Sequence, residues 1–210
     1  MAHLPSNDTH LIWHEIARKK ILDAKVFQVY TSRRRSQEGK QRDYALVEAG
    51  DWCHVIVPVE SEGRECFVMA RQFRHGLGAI TIEFPGGIVD PGEEPAHAAR
   101  RELEEETGYR CEKLTLIGRT NSNPAFMTNT VHTFVAHGAE RVSEQSLDEN
   151  ELVDIELVPV RQVLSLANPD FTAHAIMLAG LHWYRVWKDD GLAYEERLGG
   201  EGADRIRTGE

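Results

Sequence analysis

The stretch PAHAARRELEEETG, residues 95–108, constrains this 210-residue chain more than any other. Proline suits a first helical turn, and Gly108 is a natural stop after it. Between them every residue except the terminal Thr107 is a good or neutral helix former, so the spacing predicts a helix of about 13 residues. Just upstream, residues 79–84 alternate Ile80, Ile82 and Phe84 against Thr81 and Glu83, the two-residue period of a strand. That strand runs into Pro85-Gly86-Gly87, where neither helix nor central strand continues. A strand, a tight turn and a helix must therefore pack together.

The rest of the chain supplies more strands than helices. Residues 1–22 read as a mixed leader with Trp13, Ile16 and Ile21 able to pack. Strands are expected at 25–31 and 44–48, separated by a basic loop, 32–42, that holds Arg33, Arg34 and Arg35. Residues 54–60 (HVIVPVE) read as one buried strand, which turns at Glu62-Gly63 and returns over 65–73. Further strands are expected at 114–119, 130–137 and 153–158, then a short helix at 160–167 and a longer one at 170–187. The Gly-rich, charged end is expected to be flexible. This order argues for an α+β fold with a mixed sheet.

Composition excludes several classes. A net charge of −10 disfavours a general nucleic-acid binder. No apolar run approaches the roughly 20 residues of a membrane span, and no signal peptide is recognisable, so a cytoplasmic location is expected. Cys53, Cys66 and Cys111 are too dispersed for a zinc site.

Acid is concentrated between positions 93 and 106. On a helix, Glu102, Glu105 and Glu106 stand at i, i+3 and i+4 and share one face. Carboxylates crowded in this way repel one another, and a hard cation turns that repulsion into attraction. Magnesium, or manganese in its place, is the natural guest, and it commonly bridges to substrate phosphates.

In full the segment is GIVDPGEEPAHAARRELEEETGY, residues 87–109. It resembles the Nudix box, G-x5-E-x7-R-E-U-x-E-E-x-G-U with U a bulky aliphatic residue, and departs from it only in Tyr109 at the last position. The resemblance implies a Nudix α/β/α sandwich with a mixed sheet, and hydrolysis of a nucleoside diphosphate derivative by metal-bound water. It implies metal ligands at Glu102, Glu105 and Glu106, with the carbonyl of Gly86 joining them. Arg101 would hold a glutamate in place, and Glu93 would support the site from its loop.

Flanking residues resemble the ADP-ribose and nucleotide-sugar pyrophosphatase subgroup. The similar segments are MARQFRHGLGAITIEFPGG before the box, SNPAF after it, and SLDENELVDIELVP later. This likeness implies substrate contacts at Arg71, Arg74 and Glu83. It also implies a general base on the loop 148–151, Glu149 first and Glu151 second. Residues 123–129 depart from the subgroup, because neutral Asn129 stands where many members carry an acid.

The expectation is magnesium-dependent cleavage of a nucleoside diphosphate sugar, with ADP-ribose leading. Its rivals are another diphosphate (GDP-mannose, a dinucleotide, a flavin nucleotide) and a non-catalytic module that senses ADP-ribose. The expected organisation is an N-terminal β-element (1–50) that forms a homodimer, a hydrolase domain (51–190) and a flexible tail (191–210).

Overall fold

The computed structural model describes residues 8–149 and 151–199, and within them the chain divides into two compact units. One unit runs to Gly50 and includes Asn121–Asn129; the other is formed by the rest.

The first unit is a three-stranded antiparallel sheet of β1 (Trp13–Asp23), β2 (Phe27–Ser36) and β3 (Gln41–Ala49), in that order. Here the sequence reading needs correction. The leader contains an eleven-residue strand, and Arg33, Arg34 and Arg35 lie on β2 rather than in a loop. The reason is pairing of charges across the sheet. Arg33 donates two hydrogen bonds to Asp43 on β3, at 2.7 and 2.9 Å. Glu15 on β1 accepts from Ser32 at 2.5 Å and from Arg18 at 3.0 Å. Charged side chains on both faces hide the apolar alternation by which strands are recognised.

The second unit holds β4 (Trp52–Ile56), β5 (Pro58–Ser61), β6 (Arg64–Arg74), β7 (Ala79–Glu83), α1 (Pro95–Thr107), β8 (Tyr109–Arg110) and β9 (Lys113–Asn121). After these come β10 (Thr130–His137), β11 (Glu140–Arg141), β12 (Val153–Pro159), α2 (Val160–Leu164), α3 (Pro169–Thr172), α4 (Ala175–Asp190) and α5 (Tyr194–Arg197). The main sheets are β4-β10-β9, with β4 and β10 parallel, and β12-β6-β5, with β7 pairing β6. The expected single strand at 54–60 is thus two. Pro58 has no N–H to continue the ladder, and there the chain changes partner from β10 to β6.

Two apolar clusters sandwich these sheets. Ala98, Ala99 and Leu103 of α1 pack with Cys53, Val55, Val68 and Phe134. Met177, Leu181 and Tyr184 of α4 pack with Ile56, Phe67, Met69 and Phe84. A Cβ at Gly180 would lie 2.6 Å from Nε2 of the buried His54, so α4 reaches the sheet only because that position is glycine. The helix expected at 170–187 breaks between Thr172 and Ala175, and α2 ends before Leu166, whose φ is +56°. Within 191–199, Tyr194 is buried and Arg197 is paired with Asp190. Residues 200–210 lie outside the described part. No described helix is long and apolar enough to cross a membrane.

Candidate active site

The site starts with how α1 is seated. Gly108 takes the left-handed conformation, φ +71°, and its N–H caps the carbonyl of Glu104 at 2.8 Å. The segment after β7 runs back along β4, where Cys53 N–H donates to the Gly87 carbonyl (2.9 Å) and Val55 N–H to that of Pro85 (2.8 Å). This places Gly86 and Gly87 against the glutamate face of α1. Gly86 has φ +154°, and a Cβ there would lie 2.1 Å from the Cys53 carbonyl oxygen. Only glycine fits.

The three helix glutamates have different surroundings. Glu106 is buried and accepts the Gly86 N–H at 2.8 Å. Burial pushes its carboxyl up to about 8, helped by the nearby charges of Glu102 and Glu151 and against the effect of the Gly86 N–H. Glu102 is half-buried beneath Gly87; burial is again the main cause of its raised pKa, and Glu105 and Glu151 add to it. Glu105 lies further out, with its side chain 44% exposed.

Arg101 ties the group together. Its Nη1 donates to Glu102 (2.7 Å) and Glu105 (3.1 Å), and its Nη2 to Glu93 (3.1 Å) and the Ile88 carbonyl (3.2 Å). These bonds, that to Glu93 above all, hold the guanidinium well above its ordinary range. The Arg101 bond likewise holds Glu93 below the usual carboxylate range.

As the side chains stand, no three His, Cys, Asp or Glu among the described residues converge on one point. The chemistry of the donors nonetheless fits a cation. Glu102 and Glu106, both raised chiefly by burial, stand one turn apart on α1, every donor is a hard oxygen, and a divalent ion would relieve the repulsion that neighbouring acids add. Glu102, Glu105, Glu106 and the Gly86 carbonyl are the groups that could hold it.

The acidic loop is anchored at its start. Gln145 donates to the carbonyls of Glu106 (2.6 Å) and Val153 (3.0 Å), and Ser146 N–H to that of Glu105 (2.8 Å). Gln145 is a residue that sequence reasoning missed. Glu151 is held by Asp148, its N–H donating to that residue's carbonyl at 2.9 Å. Its charge bears on Glu102, Glu106 and Arg74. Glu149 is exposed, and Asn150 lies outside the described residues.

Of the three expected substrate contacts, Arg74 and Glu83 stand together and Arg71 stands apart. Arg71 and Arg74 are three residues apart on β6 and so point to opposite faces of the strand. Arg71 bonds Glu156 at 3.2 Å, away from the helix glutamates. Glu83 is wholly buried. Its carboxylate accepts from Arg74 Nε (2.7 Å) and Nη2 (2.5 Å) and from the Thr81 hydroxyl (2.5 Å). Burial favours its neutral form, but the Arg74 bond outweighs burial and keeps the carboxyl below its ordinary range. Trp52 and His174 complete this group. They come from distant segments, and nothing in the sequence links them.

The NUDIX domain model matches residues 52–180. An ADP-ribose pyrophosphatase of Bacillus subtilis (strain 168) is 36% identical over 152 residues, covering 72% of this chain and 80% of that one. An ADP-sugar pyrophosphatase of Mus musculus is 41% identical over 79 residues, 37% of this chain and 36% of its own. In fold, the chain is similar to a crystal structure of an ADP compounds hydrolase, with a TM-score of 0.70 at 22% identity over 90% of this chain and 96% of that one.

Proposed function

Because the chain belongs to the Nudix hydrolase family, we propose that it hydrolyses the diphosphate of an ADP-linked sugar, ADP-ribose first among them. The products would be AMP and ribose 5-phosphate. The observation that carries this reading is the pair Glu102 and Glu106, whose carboxyls are both raised by burial beside the Gly86-Gly87 turn. The names of the relatives support the choice of an ADP compound.

A bound divalent ion, magnesium or manganese, would neutralise diphosphate oxygens and acidify a water. Glu102, Glu105, Glu106 and the Gly86 carbonyl would hold it. Arg101 keeps Glu102 and Glu105 from turning away, and Glu93 fixes Arg101 in turn. Glu151 stands within electrostatic reach of the cluster, as a base that takes a proton from the attacking water must. Arg74 supplies a guanidinium to the phosphates.

We also propose that residues up to 50 form a homodimer element and that 51–190 form the hydrolase domain. Exposed Ile16, Ile21, Leu22 and Val26 support the first part, and light scattering tests it. The enzymatic reading is tested with a panel of nucleotide sugars and magnesium, with products separated by chromatography. Turnover of ADP-ribose to AMP is expected. Binding without turnover would instead mark a sensor, and turnover of none of the panel would sink the enzymatic reading.

A further inference from the structure

A carboxylate with no exposure is costly to bury, and a well-packed apolar residue is often as stable in its place. Glu83 in β7 is such a carboxylate, at 0% exposure. What it does there is visible in its partners. Arg74 grips both its oxygens, Thr81 bonds one, and His174 Nε2 stands 3.7 Å from the other. The Arg74 guanidinium also lies 5.4 Å from the Trp52 ring centre, and Trp52 stacks on His174 at 6.0 Å and 26°. β4, β6, β7 and the α3–α4 junction each contribute a residue.

Glu83 takes Nε and Nη2 of Arg74, and no described residue accepts the Nη1 protons. The side chain keeps 33% exposure, and its partner Glu83 lies three residues before Gly86, whose N–H bonds Glu106, so Arg74 is tied to the neighbourhood of the carboxylate cluster. A site lined by that many acids repels a diphosphate. The pairing with Glu83 cancels the net charge of Arg74, so Arg74 can offer only a fixed direction of hydrogen bonding.

We propose that Glu83, Trp52 and His174 are positioning residues, which lock Arg74 so that its Nη1 edge points at a phosphate of the bound nucleotide diphosphate. This rests on the hydrolase reading above. A planar fork is required, so lysine cannot replace Arg74.

The test is steady-state hydrolysis of ADP-ribose with magnesium. Arg74→Lys, Trp52→Leu, His174→Asn and Glu83→Gln are each expected to raise KM about tenfold while kcat stays within about twofold. In combination with Arg74→Lys, the other three are expected to add little, because all act through one guanidinium. Unchanged KM in Trp52→Leu and His174→Asn, or fully additive losses, would overturn the proposal. If Glu83→Gln does not fold, those two variants decide it. If the wild type turns over no ADP-ribose, the hydrolase reading fails instead. The lock is then read from the Arg74 Nε–H resonance, assigned by its loss in Arg74→Lys. It is expected to be sharp in the wild type and broadened in Trp52→Leu and His174→Asn; an unaltered resonance in both would refute the lock.

Discussion

Gly87 and Glu102 are so closely apposed that a Cβ on the glycine would lie 2.6 Å from the glutamate carboxylate. The obstacle is the end of a flexible side chain rather than backbone, so the side chain can move. Gly87→Ala is therefore expected to lose less than about 1 kcal/mol of stability while displacing Glu102 from its place. Hydrolysis should fall by about 10- to 100-fold, the usual scale for disturbing a metal site's supports. Urea midpoints and initial rates measured side by side check this. Unimpaired rates would show that the position of Glu102 does not matter. Gly86→Ala is the contrast, because it meets the Cys53 carbonyl and should unfold the protein more readily.

Glu106 gives a pH-dependent test of cation binding. Its carboxyl lies near 8 instead of the ordinary 4.5, chiefly through burial. The folded metal-free protein therefore holds a proton there that the unfolded chain releases. Stability from this group is present below pH 4.5 and is lost as pH rises toward 8. Magnesium should restore it, raising the melting temperature at pH 8 in the wild type and much less in Glu106→Gln. Equal magnesium shifts in the two proteins would remove Glu106 from the ligand set.

We propose Glu151, ahead of Glu149, as the group that acts on water near the cluster, because its charge is felt at Glu102 and Glu106. Glu151→Gln is expected to lower kcat at least about tenfold more than Glu149→Gln, with neither changing the melting temperature by more than a degree or so. The reverse order would move the base to Glu149.

His54 controls acid stability from outside the site. Burial holds its imidazole neutral down to about 3, against an ordinary 6.5, with Nε2 at 2.8 Å from the Thr133 hydroxyl. Below pH 6.5 the unfolded chain takes up a proton that the native state refuses, so stability is complete above 6.5 and falls as pH drops toward 3. His54→Gln should flatten that decline by up to about 1.4 kcal/mol per pH unit. Denaturant titrations from pH 7.5 to 4.5 read the slopes, and parallel slopes would contradict the assignment.

The helix at 95–107 was legible in the sequence to the residue, because its stop signals are local: a proline at the start, and a glycine that alone takes φ +71° without strain. The strand at 130–137 was equally legible, because Thr130, Val131, Thr133, Phe134 and Val135 are β-branched or aromatic residues that favour strands. Reading failed where a long-range partner decides. Arg33, Arg34 and Arg35 look like a loop until β3 pairs with them and sets Asp43 across from Arg33, and residues 54–60 look like one strand until Pro58 changes neighbours.

In the site itself, the spacing of Glu102, Glu105 and Glu106 and their resemblance to a known box were sufficient to assign one face of one helix, since the helical period alone sets that face. Only the tertiary structure could make these carboxylates unequal. Burial against Gly86 and Gly87 raises Glu106 and Glu102 while Glu105 stays out, because desolvation depends on what packs above a residue rather than on its position along the chain. The same holds for Arg74, whose partners Glu83, Trp52 and His174 meet only through the folding of strands far apart in sequence.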